Sequence, residues 1–265
     1  MKLATVSLGS EICIVSLILL CLLSEQHSAL GQSSTINKEI VIVNIGKYNK
    51  DSLATIIKVI SSLEPQVISV DVALPTYSGD STDENLRRIL IKCKHLVMPS
   101  RVRNIGKDYY GKDIILVGLS CAMPFFPNHA KTGFVSAKQG QNDLYIPKQF
   151  MVWQKSYTND TYYHFSVVTA MQFDSLKTAK FIHDNEKLVN VNYGVGRRFT
   201  VFSSSYVLNH GVKRTDVQGK IVLLGFLGPG DDDLFHLYSN EKNRDKTMYG
   251  VEYLANIVAQ VLESR

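Results

Sequence analysis

Three consecutive aspartates, Asp231-Asp232-Asp233, follow the turn-forming segment Gly228-Pro229-Gly230, and Glu252 stands near the start of the last helical stretch. Clustered carboxylates suit a hard cation or a polar ligand, because such cations take several oxygen donors at once. Two further residues end apolar runs, where an open parallel sheet binds its ligands: Asp71 follows Val67-Ile68-Ser69-Val70, and Gly225 follows Ile221-Val222-Leu223-Leu224. Asp71, Gly225, Asp232 and Glu252 are therefore the candidate ligand-binding residues. Each also has a structural reading. Asp71 can brace a loop, Asp231 to Asp233 can form a solvated turn, and an acid in a first helical turn is favoured by the helix dipole alone.

Other chemistries find less support. The glycines of Gly225-Phe226-Leu227-Gly228-Pro229-Gly230 follow a strand as a phosphate loop would, but no Lys-Ser/Thr opens a helix after them and three aspartates would repel phosphate. Gly194-Val195-Gly196-Arg197-Arg198 reads as a turn carrying two cations. Ser203, Ser204 and Ser205 lie after a strand, and His164, His210 or His236 would reach them only through folding. No Gly-x-Ser-x-Gly elbow supports a triad. Neither His-Glu-x-x-His nor Cys-x-x-Cys occurs. No catalytic residue, metal ligand set or cofactor is assigned.

The elements that must position these residues alternate. Ile40 to Ile45 reads as a buried strand. Asn49, Asp51 or Ser52 can cap the next helix, whose core face is Leu53, Ile56, Ile57, Ile60 and Leu63 before Pro65 stops it. Val67 to Leu74 is the second strand, parallel to the first and joined to it by a right-handed crossover. Thr82 caps a second helix with Leu86, Ile89, Leu90 and Cys93 inward, and Leu96 to Val102 resumes as strand. From Asn104 to about Thr132 the pattern weakens into turn or edge material. Gly133 to Ala137 and Phe150 to Gln154 are short strands, Phe165 to Phe173 and Leu176 to His183 helices. Val189 to Tyr193 and Phe199 to Phe202 are extended, and Ser205 to Leu208 is a short helix. Trp153 reads as packing on a sheet face, with lining of a pocket at an edge as the alternative. At the end, Val251, Leu254, Val258 and Val261 form one apolar helical stripe that can dock on the sheet. The fold class is α/β: a three-layer sandwich with a mainly parallel central sheet flanked by helices and an irregular middle insertion.

At 265 residues the chain can bury a large core. Ile12 to Leu23 carries no charge and is followed by Ala29-Leu30-Gly31-Gln32, as in an export signal cleaved before Gln32. Twelve helical residues span about 18 Å against a hydrocarbon core of roughly 30 Å, so a signal is favoured over an uncleaved N-terminal membrane anchor. Residues 1–31 are assigned to the signal and 38–263 to the folded domain. Losing Lys2, Glu11 and Glu25 raises the formal net charge from +5 to +6. The cations are scattered without an arginine-rich tract or interleaved aromatics, which argues against nucleic acid as a partner. Cys93 and Cys121 remain in the mature chain. They can pair in an oxidising compartment, but two buried free thiols are the favoured reading.

Several segments in this order resemble the type-two CHASE extracellular sensory domain over roughly Lys38 to Leu262. They are Ile40 to Gly46, Pro65 to Val72, Gly133-Phe134-Val135, His164-Phe165-Ser166-Val167, Gly219 to Gly225 and Tyr249-Gly250-Val251-Glu252. The resemblance implies a non-enzymatic input domain outside the bacterial cytoplasmic membrane, ordinarily followed by membrane helices and a kinase or cyclase output module. Here the sequence stops at Arg265, so the expectation is a stand-alone domain that lacks its own output. It would serve a small-molecule ligand, a membrane sensor kinase or a cyclase. The family's Asp-Gly followed by Arg is absent from Gln141-Asn142-Asp143-Leu144-Tyr145, which puts any role of that pair in doubt. Two alternatives stay open: a protein-docking subunit for a membrane transducer, and a metal-dependent extracytoplasmic hydrolase using Asp231 to Asp233 with Glu252.

Overall fold

The computed structural model describes residues 36–111, 113–135, 147–193, 198–228, 234–236 and 247–264. Contacts divide the chain into two units. One, Met1–Thr35 with Val195–Arg198, contains a single described residue, Arg198; the other, Ile36–Gly194 with Phe199–Arg265, holds the fold described below. Among the described residues no helix is long and apolar enough to cross a membrane.

In chain order the elements are β1 (Ile36–Asn44), α1 (Lys50–Ser62), β2 (Val67–Val70), α2 (Ser81–Lys92), β3 (Leu96–Lys107), β4 (Asp113–Leu119), β5 (Lys131–Phe134), β6 (Gln149–Met151), β7 (Trp153–Lys155), β8 (Thr161–Tyr163), α3 (Phe165–Phe173) and α4 (Ser175–Asp184). They continue with β9 (Leu188–Asn190), β10 (Arg198–Ser203), α5 (Ser204–Leu208), α6 (Arg214–Val217), β11 (Ile221–Gly225), β12 (Leu234–His236), β13 (Thr247–Tyr249) and α7 (Gly250–Glu263).

The main sheet has the order β10-β1-β11-β2-β3-β4, with β5 also on β3. β1, β11, β2 and the start of β3 run parallel; β4 is antiparallel to β3. β1 and β2 are parallel, as their connection through one helix requires, but they are not neighbours: β11, from the far end of the chain, lies between them. Strands this apolar are stable only when both faces are covered, and side chains alternate between faces at every residue. Ile40 and Ile42 of β1, Ile221 and Leu223 of β11 and Val67 of β2 face one core with α3, α4 and α7. Val41, Val43, Val222, Leu224, Ile68 and Val70 face the other, beneath α1 and α2. Two cores on one sheet make the three layers.

Local chemistry sets the helix starts. Asn49 is the cap of α1: its side chain accepts from Ser52 N at 2.8 Å while Ser52 Oγ accepts from Asn49 N at 3.1 Å. α2 is capped by Asp80, not Thr82. The Asp80 backbone is extended and its carboxylate accepts from Asp83 N at 2.8 Å, whereas Thr82 lies inside the helix and donates to Asp51 at 3.1 Å. α7 is buried almost all round, well beyond the stripe of Val251, Leu254, Val258 and Val261, because α3 and α4 share its layer. Gly133 lets β5 approach the start of α3 closely. A Cβ there would stand 2.5 Å from Phe165 Cα.

The stretch after Asn104 is more regular than its pattern suggests. β3 runs on to Lys107 and returns as β4, with the exposed pair Tyr109–Tyr110 at the turn. The middle of the chain is built from the two-stranded pairs β6–β9 and β7–β8. Trp153 is half-buried on β7, with the Lys187 ammonium 5.6 Å from its ring centre. Cys93 and Cys121 are buried free thiols, and burial pushes each up to about 11.

Candidate functional site

The carboxyl ends of three parallel strands line up. Asn44 of β1 pairs with Gly225 of β11, and Leu224 pairs with Val70 of β2. Asp71 N then donates to Leu224 O at 2.8 Å, and Ile45 N donates to Gly225 O at 3.0 Å. Asn44, Gly225 and Asp71 therefore form a row across the top of the sheet, where an α/β fold binds ligands. α7 begins directly over the middle of that row. A Cβ on Gly225 would lie 2.6 Å from Val251 Cβ, so the glycine is there because strand end and helix touch.

Asn44 was not among the expected site residues, yet it organises this crest. Its amide donates to Leu227 O at 2.7 Å and accepts from Leu227 N at 3.0 Å, while Gly46 N also donates to it at 2.9 Å. After β1 leaves the ladder, the side-chain amide continues the pairing and holds Phe226 and Leu227 above β11. The sequence signal was modest: an asparagine closing an Ile-Val-Ile-Val run.

Of the four expected residues, the structure brings Asp71 and Gly225 side by side and places Glu252 in the first turn of the helix above them. Asp232 lies outside the described residues. Glu252 is half-buried, and its carboxylate accepts from Tyr249 N at 3.0 Å, satisfying a donor at the start of α7. Asp71 is half-buried beside Tyr48, whose phenol is raised first by burial and then by the Asp71 charge. Tyr48 Oη donates to Ala73 O at 3.5 Å.

A second network ties the loop after Asp71 to the starts of α1 and α2. Lys50 Nζ donates to Thr76 O at 3.0 Å and forms an ion pair with Asp83, whose side chain is closed to solvent. Asp83 also accepts from Ser78 Oγ at 2.8 Å and Gly79 N at 3.2 Å. The bond from Lys50, followed by those from Ser78, holds its carboxyl down at about 2 against the opposing effect of desolvation. The loop between Asp71 and Asp80 is thereby clasped to the start of α1.

No nucleophile–base pair is assembled among the described residues. Ser203 Oγ and Ser205 Oγ share a hydrogen bond of 3.0 Å, Ser203 caps α5 through Tyr206 N at 3.2 Å, and no histidine bonds either hydroxyl. His164 is elsewhere and fully buried between Phe134 and Phe150, with ring centres 5.6 and 5.5 Å away. Its Nδ1 accepts from Ser166 N at 3.2 Å, and burial pushes it down to about 3. Among the described residues no group of three or more His, Cys, Asp or Glu is placed to hold a metal ion. What the crest offers is the Asp71 carboxylate beside the Tyr48 phenol, with Glu252 in the helical turn above already accepting from Tyr249 N, on a braced backbone.

No curated protein and no solved structure matches the chain. The profile of the CHASE2 domain matches residues 27–265, a span that takes in every strand and helix described above, from β1 to α7. The chain belongs to the CHASE2 domain family.

Proposed function

We propose that this chain, a member of a family of extracellular sensory domains of signalling proteins, binds a small polar ligand at the strand-end crest and performs no catalysis itself. The observation that carries the reading is the row of Asn44, Gly225 and Asp71 beneath the first turn of α7. A ligand seated there would meet the Asp71 carboxylate, the Phe226–Gly228 backbone and the start of a buried helix at once. The leader read at residues 1–31 would deliver the domain outside the cytoplasm, as a cleaved signal or as an anchor. Binding would then bias a membrane kinase or cyclase that carries the output.

The test is a thermal-shift screen of polar metabolites and cations, since a ligand specific for the native state raises its melting point. A dose-dependent rise that disappears in Asp71→Asn supports the crest as the site. A rise retained in Asp71→Asn moves the site elsewhere, and a screen without any hit defeats small-ligand sensing.

A further inference from the structure

We propose that the groove between α1 and α2 is a second ligand site, built for a small molecule carrying two or more phosphate groups. It goes beyond the crest reading and does not rest on it. The groove has a volume of about 480 Å3, in the range of small-molecule sites. Lys58 of α1 and Asn85, Arg88 and Lys92 of α2 line it, over Ser61 and Ile89. Asn85, Arg88 and Lys92 repeat at helical spacing and so share one face of α2, turned to the Lys58 side of α1. Two packed helices thus present cations to one cleft, and no carboxylate lines it.

The same helices pair their other cations. Lys50 is matched by Asp83 and Arg87 by Glu84. Lys58 and Lys92 have no carboxylate partner among the described residues. Arg88 gives its Nε to Glu84 O at 3.3 Å and its charge also helps to hold the Glu84 carboxyl down, while the two terminal nitrogens of its fork make no hydrogen bond among the described residues. A smaller cavity of about 240 Å3 shares Ser61 and Lys92 and extends the cleft past Lys94 and His95. Its one carboxylate, Glu64, is already paired with Arg214. Like charges crowded on one cleft repel, and a multivalent anion removes that repulsion. A planar guanidinium fork beside ammonium point charges fits phosphate oxygens.

The experiment is calorimetric titration of the full chain with tripolyphosphate at low ionic strength, with 1H–15N spectra to locate the site. The expected result is saturable binding at one site, with shifts centred on the Asn85 side-chain amide and the Ser61 and Lys92 backbone amides. Lys58→Ser/Lys92→Ser should weaken binding about 25-fold, from roughly fivefold for each unit charge pair near 4 Å. Lys38→Ser/Lys131→Ser removes the same charge elsewhere and should weaken binding by no more than about twofold, because only the long-range attraction is lost. Equal losses in both double variants, shifts spread over the surface, or binding of citrate without tripolyphosphate would each overturn the assignment.

Discussion

Replacing Gly225 by alanine tests whether strand end and helix start form one tightly packed joint. The added methyl would stand 2.6 Å from Val251 Cβ and 2.7 Å from its Cγ2, against about 3.5–4.0 Å for an unstrained carbon contact. Both residues are buried. Rotating the valine side chain does not help, because its Cβ is fixed by the helix backbone, so α7 or β11 must move by about 1 Å. Overpacking of this kind costs about 1–3 kcal/mol, and a clash against backbone-anchored carbons belongs at the upper end. For a domain of this size that is a fall in Tm of about 6–12 °C. Urea unfolding should show the loss in the midpoint with the slope unchanged. The double variants sharpen the test. Val251→Gly removes the obstructing Cβ, so Gly225→Ala combined with it should cost less than the sum of the two changes by about 1–2 kcal/mol. Val251→Ala keeps that Cβ and should rescue much less. A Gly225→Ala chain within about 0.5 kcal/mol of the parent, or equal rescue by Val251→Ala and Val251→Gly, would refute the joint.

Two pH windows and one labelling experiment follow. Asp83 has a folded value of about 2, below its ordinary 3.8, so its contribution is complete above about pH 4 and disappears as pH falls through 2. Asp83→Asn should be less stable than the parent near pH 6, with urea midpoints converging toward pH 2; a constant gap would sink the idea. His164 has a folded value of about 3, below its ordinary 6.5, so the unfolded chain takes up a proton first as pH drops. Parental stability should fall between pH 6.5 and 4.5 by up to about 1.4 kcal/mol per pH unit, and His164→Asn, which keeps a cap acceptor for Ser166 N, should flatten that slope. An unchanged slope means that His164 is not held neutral. Cys93 and Cys121, buried with raised thiol values, should resist iodoacetamide in the native chain and react in urea; rapid native labelling of either, seen by peptide mass mapping, contradicts their burial.

Layering was legible because burial on both sides leaves a compositional trace. Ile40 to Ile45 and Ile221 to Leu224 contain almost nothing but β-branched and aliphatic residues, and the helices between strands carry clear apolar faces. Pairing order was not legible. Nothing local in β11 says that it enters between β1 and β2, because that choice depends on contacts across more than 150 residues, as between Val67 and Ile221. Caps were half legible: Asp80, Ser81, Thr82 and Asp83 can all cap, and only the extended backbone at Asp80 decides among them. The β3–β4 ribbon carries its signal in Ile114-Ile115-Leu116-Val117. On the partner strand the alternation of Arg101-Val102-Arg103 is too short to stand out, and Asn104 and Gly106 interrupt it where the register shifts.

The two proposed sites show the same limit from opposite directions. At the crest, sequence position marked Asp71 and Gly225 as strand-end residues, since residues that end parallel strands lie along one edge of the sheet. That Asp71 and Gly225 stand side by side depends on β11 pairing with β2, which the sequence did not show, and neither did it point to Asn44, whose importance is a pair of hydrogen bonds to a segment 183 residues away. In the helical groove no residue is unusual in sequence: Lys58, Arg88, Lys92 and Lys94 look scattered, and the chain's cations as a whole suggested no clustered site. Only the packing of α1 beside α2 gathers them, while the neighbouring carboxylates Asp83, Glu84 and Glu64 are drawn into other pairs. Charge clustering in an α/β domain is thus a property of adjacent helices, and it becomes a binding site when the opposing charges have already been committed elsewhere.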